Sequence, residues 1–171
     1  MSTLVVLAHP DLQKSRVNKA LKESISHKGA VFSQLYQKYP DFKIDVAAEQ
    51  QLLTQAERIV FQFPIFWYSY PPLFKKYLDD VLAYGFAYGS NGKALHSKEF
   101  SLAVSLGSPI ENYTKGGSQT LLTIEDILAP LKATTLFVGG TYTGHFATFG
   151  ALNLSDQDLA IHCQDYQEFV K

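Results

Sequence analysis

"RIVFQFPIFWYSYPPLFKKYLDDVLAYG", residues 58–85, changes its pattern twice. Residues 58–66 are almost wholly apolar and do not alternate, which predicts a strand covered on both faces. From Phe74, the residues Tyr77, Leu78, Val81 and Leu82 recur at i, i+3, i+4, i+7 and i+8, the apolar face of a helix. Lys75, Lys76, Asp79 and Asp80 fall mostly on the other side and read as a solvated face with i, i+4 pairs. Pro71 and Pro72 suit the first helical turn, where no amide donor is missed. Between strand and helix stands a loop, 63–72, with five aromatics in eight residues. A core spreads such bulk over several elements, so their concentration at a strand end suggests a platform for a flat ligand. A cap on the core or a dimer contact is the structural alternative.

The same alternation runs outward in both directions. Further apolar runs lie at 4–8 (LVVLA), 30–36 (AVFSQLY), 100–107 (FSLAVSLG) and 134–140 (TTLFVGG). Helical spacing fills the gaps: a helix after Ser15 that stops near Gly29, a weaker one at 46–56, one at about 118–132 that Pro130 should bend or end, and a last one capped by Ser155. That last helix turns Leu159, His162, Tyr166 and Phe169 inward. Five strands alternating with helices predict an α/β fold, a five-stranded parallel sheet of flavodoxin-like order 2-1-3-4-5 with helices on both faces. The ligand of such a sheet lies beyond the carboxyl ends of strands 1, 3 and 4.

Length and composition bound the rest. At 171 residues, 46% hydrophobic, the chain has the size of one domain, 1–171, with one substantial core. Fifteen Lys plus Arg against sixteen Asp plus Glu give no field to gather nucleic acid or an anionic membrane. A single cysteine, Cys163, rules out an internal disulfide and a Cys-rich zinc site, and reads as a small buried hydrophobe. His27, His96, His145 and His162 lack ligand spacing, so no metal is expected. Without a basic leader or a run of about 18 apolar residues, the expected location is the cytoplasm.

Three loops meet at the predicted ligand edge. In "HPDLQKSRVN", 9–18, no G-x-G-x-x-G is present; instead Ser15 caps a helix whose first amides, with the Asn18 side chain, converge on a phosphate, and His9 stands close by. An ordinary cap is the alternative reading. The second loop is the aromatic one, supplemented by Tyr84, Phe86 and Tyr88 of "YGFAYG", 84–89. In the third, "SLGSPIENYTKGGS", 105–118, Gly107 permits close backbone approach and Tyr113 brings a hydroxyl back over the site. "TYTGHFATFG", 141–150, lines either the substrate pocket or an interface.

With "AHPDLQKSRVN", "YPDFKIDVAAEQ", "FPIFWYSYPPLFKKYLDDVLAYGFAYG" and, more loosely, "SLGSPIENY" in view, the chain resembles the NAD(P)H:quinone oxidoreductases. It is most similar to their small bacterial branch, which includes the ancillary flavoprotein of a glutathione-gated potassium efflux system. The resemblance implies hydride transfer from NADPH or NADH through a flavin to a small-molecule quinone in a ping-pong scheme. FMN is expected rather than FAD, because the C-terminal extension of the animal enzymes is missing. His9, Ser15, Asn18 and the Val17 amide match the flavin phosphate loop. Pro64, Ile65, Phe66, Trp67 and Tyr68 match the segment along the flavin ring. Ser105, Leu106, Gly107 and Ser108 stand where the family has Thr-Thr-Gly-Gly, and Tyr113 matches a tyrosine near the pyrimidine end. Trp67, Gly107 and Tyr113 are the implied catalytic groups. Tyr68 and Tyr88 would bind substrate, Tyr88 by reaching into a second subunit, so a homodimer with shared sites is implied. A membrane potassium-efflux protein is the other implied partner. Two departures stand out: Ser108 replaces a glycine, and Gln119 replaces the histidine of a Tyr/His proton relay.

Overall fold

The computed structural model describes residues 2–26, 29–116 and 121–171. Its strands are β1 (Thr3–Leu7), β2 (Val31–Gln34), β3 (Arg58–Pro64), β4 (Glu99–Ser105) and β5 (Thr141–Thr148), all parallel in the order β2-β1-β3-β4-β5. The helices are α1 (Arg16–Ile25), α2 (Leu35–Lys38), α3 (Val46–Gln55), α4 (Pro72–Val81), α5 (Ile124–Phe137) and α6 (Asp156–Phe169). This is the flavodoxin-like order expected from the alternation of patterns.

Two apolar layers explain why the central strands do not alternate. Ile59, Phe61 and Phe63 of β3 join Phe74, Tyr77 and Val81 of α4 and Leu128 and Leu131 of α5 in one core. Val60, on the opposite face of the same strand, joins Val17, Leu21 and Ile25 of α1 and Tyr166 of α6 in the other. Both faces are thus dry, and between Ile59 and Phe63 every residue but Gln62 is apolar. Aromatic rings join β3 to α4 in the first core: Phe63 stacks on Phe74 with centroids 4.9 Å apart, and Phe61 meets Phe74 edge-on at 5.1 Å.

The structure departs from the sequence reading in three places. Residues 134–140 do not form the fifth strand; most of them extend α5, and β5 begins at Thr141. Helix α5 starts later than expected because Thr123 and Asp126 form a reciprocal capping box. It also runs through Pro130, since Ile127, Leu128, Leu131 and Thr135 hold one buried face that outweighs the lost amide bond. The Gly139–Gly140 pair ends the helix: Gly139 has φ +77°, and the Gly140 N–H donates to the Thr135 carbonyl at 3.0 Å. Finally, β2 gives way after Gln34 to the single turn of α2, which buries Leu35. No helix among the described residues is long and apolar enough to cross a membrane.

Candidate functional site

The carboxyl ends of β1, β3 and β4 open onto a cleft of about 450 Å³, within the range of small-molecule sites. On one wall, Ser15 caps α1, its hydroxyl oxygen accepting the Asn18 N–H at 3.2 Å. The N–H groups of Arg16 and Val17 fall in the first turn, where no intrahelical acceptor exists. His9 follows β1, and its Nδ1 accepts the Asp11 N–H at 3.1 Å. Burial holds the His9 pKa below its ordinary value, against the raising influence of Asp11. His9 is therefore a neutral imidazole that offers Nε2–H as a donor. Asp11 is balanced by Lys14, whose Nζ lies 2.8 Å from its carboxylate and keeps the Asp11 pKa low. The Arg16 guanidinium donates to the Leu154 carbonyl and the Asp156 carboxylate, tying the start of α1 to the β5–α6 loop.

The opposite wall is apolar. Pro64, Ile65 and Phe66 line it, and the Ile65 N–H donates to the Ser105 carbonyl at 2.8 Å, locking this loop to β4. Phe66 and Ser69 then exchange both backbone hydrogen bonds, at 3.0 and 2.9 Å, around Trp67 (φ +50°) and Tyr68 (φ +61°). Two successive positive φ angles make this a type I′ turn, which favours Asn-Gly rather than Trp-Tyr. Holding two bulky residues there costs of order 1–3 kcal/mol each. Trp67 offsets none of this by packing, since it is 94% exposed. The turn thus holds the indole in solvent, one residue beyond Phe66 of this wall.

The floor comes from β4 and the loop after it. Leu106 is clamped by two backbone bonds, its N–H to Thr148 and its carbonyl from Ala151, both at 2.9 Å. Gly107 has no positive φ, and a Cβ there would meet only Leu152, at 3.4 Å. The fold therefore tolerates a side chain at Gly107, which would fill the cleft instead. Among the described residues the Gly107 amide has no acceptor.

The cleft brings together His9, Ser15, Val17, Asn18, Pro64, Ile65, Phe66, Ser105, Leu106 and Gly107. Trp67, Tyr68, Ser108 and Tyr113 lie outside its lining. Tyr113 packs on Phe149 with centroids 5.7 Å apart. Tyr88 lines a separate groove with Tyr70 and Phe137. Gln119 lies outside the described residues. Sequence reasoning missed Ala151 and Leu152, which reach the cleft from the β5–α6 loop, and also missed two residues beneath it, Gln62 and Tyr166. Gln62 was detectable as the one polar residue inside the apolar run of β3.

Comparison with known proteins agrees with this architecture. The profile of the family described as flavodoxin-like fold matches residues 1–170. General stress protein 14 of Bacillus subtilis (strain 168) is 44% identical over 172 residues, covering 100% of this chain and 98% of its own. An uncharacterized NAD(P)H oxidoreductase of the same organism, YrkL, is 42% identical at the same coverage. The glutathione-regulated potassium-efflux system ancillary protein KefF of Citrobacter koseri is 40% identical, covering 96% and 93%. Among solved structures, general stress protein 14 of Treponema denticola in complex with FMN superposes with a TM-score of 0.93 at 37% identity, covering 99% and 98%. An NADPH-quinone reductase from P. pentosaceus gives 0.91 at 29% identity, covering 100% and 98%. A chain described as a thermophilic tryptophan halogenase from Streptomycin violaceusniger gives 0.93 at 46%, covering 96% of each. On the profile match from end to end, and on relatives above 40% identity over the same span, the chain belongs to the flavodoxin-like fold family.

Proposed function

We propose that this protein is a cytoplasmic FMN-dependent NAD(P)H oxidoreductase that passes two electrons to a quinone or similar acceptor. The observation that carries this reading is the cleft itself, with hydrogen-bond donors on one wall and an apolar face on the other. The wall at α1 suits a phosphate: the Arg16 and Val17 amides, the Ser15 hydroxyl and His9 Nε2–H are all donors, at the positive end of a helix dipole. Pro64, Ile65 and Phe66 suit the flat face of a flavin, and the Gly107 amide, which has no acceptor among the described residues, would donate to its pyrimidine edge. Bound FMN would take a hydride from NAD(P)H and give two electrons to the acceptor, a chemistry that belongs to the cofactor.

The chain's part is position and field. Donors at Gly107 and Ser108 would hold the flavin's pyrimidine edge and stabilise negative charge there, as amides do in an oxyanion site. Tyr113 would add its hydroxyl at that end. Trp67 and Tyr68 would cover the ring, leaving one slot that donor and acceptor use in turn, a ping-pong order. Gln119 has no titratable proton, so water or Tyr113 supplies the proton that the acceptor takes up. Tyr84 and Phe137, both strongly exposed beside Tyr88, suit a homodimer in which Tyr88 of one copy reaches the site of the other.

Mass identification of the flavin released from fresh protein, with NADH and NADPH oxidation measured with and without a quinone, tests the reading. FMN release, quinone-dependent turnover and parallel lines in initial-rate plots are expected. FAD release would change the cofactor, and protein that neither carries nor binds flavin would overturn the proposal. Tryptophan with halide is the control arm suggested by the Streptomycin violaceusniger chain. The 40% identity to KefF favours a second role, as ancillary subunit of a potassium-efflux protein, which co-purification with that membrane partner tests.

A further inference from the structure

Beneath the cleft a buried chain of hydrogen bonds runs from α6 to the α1 wall. Tyr166 and Gln62 have no solvent exposure, and Asn18 is 2% exposed. The Tyr166 hydroxyl donates to Gln62 Oε1 at 3.1 Å. Gln62 Nε2 faces the backbone carbonyl of Asn18 at 3.0 Å and Asn18 Oδ1 at 3.4 Å. Asn18 Nδ2 donates to Ser105 Oγ at 2.9 Å and to Ser15 Oγ at 3.4 Å.

The direction of this chain is fixed by one group. A backbone carbonyl only accepts, so Gln62 must turn its NH₂ toward Asn18 and its oxygen toward Tyr166. Asn18 must then show Oδ1 to Gln62, since two NH₂ groups cannot face each other, and its own NH₂ goes to the serines. Ser15 Oγ also receives the Asn18 backbone N–H at 3.2 Å. Ser15 Oγ therefore accepts two hydrogen bonds, which fills it, and Ser105 Oγ accepts one. Among the described residues neither hydroxyl proton has a protein acceptor, and both serines line the cleft.

We propose that Gln62, held by Tyr166, is a positioning residue that polarises Asn18 and so commits the Ser15 and Ser105 hydroxyls to donate into the cleft. The wall thereby selects a group that only accepts hydrogen bonds, an ionised phosphate. This rests on the flavin reading above and deepens it, because the chain recognises the phosphate tail and not the ring. Buried hydrogen bonds in a connected chain polarise one another, so the serine hydroxyls at its end are stronger donors than they would be alone.

The test compares FMN with riboflavin, which shares the ring and lacks the phosphate, on the full-length protein. In the double variant Gln62→Met, Tyr166→Phe these two partners become apolar at nearly constant shape, but the buried Asn18 Oδ1 loses its donor, so folding is checked by thermal melting and affinity is read on the folded protein. The dissociation constant for FMN is expected to rise about tenfold, the loss typical of one hydrogen bond to a charged group, and that for riboflavin less than about twofold. Tyr166→Phe alone, which needs no repacking, should weaken FMN by roughly two- to fivefold with riboflavin unchanged. Equal losses for the two flavins in both variants would mean a merely structural strut, and no loss for either would mean an idle one; each overturns the proposal. Wild-type protein that binds neither flavin would overturn the functional reading itself. Wild-type protein that binds both equally would leave that reading intact and overturn only phosphate selection.

Discussion

Two buried polar networks flank β1, and they differ in one respect. On the β2 side, Glu49 of α3 is fully buried and accepts hydrogen bonds from Ser33 at 2.9 and 2.8 Å, from the Tyr39 hydroxyl at 2.7 Å and from Lys38. Burial first, and then the Glu49 carboxylate, push the Tyr39 hydroxyl pKa far up, so Tyr39 stays a donor at every working pH. That network closes on itself: a carboxylate, its donors and one cation. On the β3 side, the Tyr166–Gln62–Asn18 chain ends in two hydroxyls at the cleft whose protons have no protein acceptor among the described residues. A closed network fastens elements together, and an open one marks where a ligand completes the count.

The contrast can be broken first on its closed side. Glu49→Ala strips the buried acceptor from three donors, and a loss of about 3 kcal/mol is expected. For a chain of this size that lowers Tm by roughly 6–12 °C in calorimetry. FMN affinity of the folded fraction should not change; a matching loss of affinity would join the two networks and erase the distinction. On the open side the pattern reverses. Ser15→Ala removes one donor to the phosphate, so FMN affinity should fall by about 2 kcal/mol in a fluorescence titration, against about 1 kcal/mol of folding stability for the lost cap.

Next in size is the strained turn. Trp67→Asn with Tyr68→Gly installs residues that accept positive φ, and stability should rise by about 1 kcal/mol while NAD(P)H oxidation slows. Faster turnover in the stabilised variant would remove any function from the strain. The smallest effect concerns pH. Burial depresses the His9 pKa below 6.5, so in the free protein its stabilising contribution is complete above 6.5 and is lost as pH falls through the depressed value. A phosphate beside Nε2 favours the imidazolium instead. FMN affinity should therefore rise about two- to threefold between pH 8 and 6.5, and His9→Gln should flatten that slope.

The strand order was legible because apolar runs covered on both faces cannot be mistaken for alternating edge strands. The region 134–140 was not, since "TTLFVGG" has strand composition and only a capping box at Thr123 and a glycine stop at 139–140 reveal a helix. The capped start of α1 could be read from Ser15 and its neighbours, as helix caps are local. Asn18 was read as a phosphate ligand from its spacing, whereas its amide is turned inward between Gln62 and two serines, a relation across 87 residues of chain in the case of Ser105. The turn at Trp67–Tyr68 was invisible for an opposite reason: the residues contradict the geometry they adopt. Tyr88 sits apart from the cleft, in a groove with Tyr70 and Phe137 that its place in "YGFAYG" does not reveal.

Titration of FMN into ¹⁵N-labelled protein, followed by amide NMR, tests the central claim most directly. One equivalent should shift the Arg16, Val17 and Gly107 amides together and leave those around Glu49 in place. Unmoved resonances at α1, or shifts confined to another surface, would contradict the account.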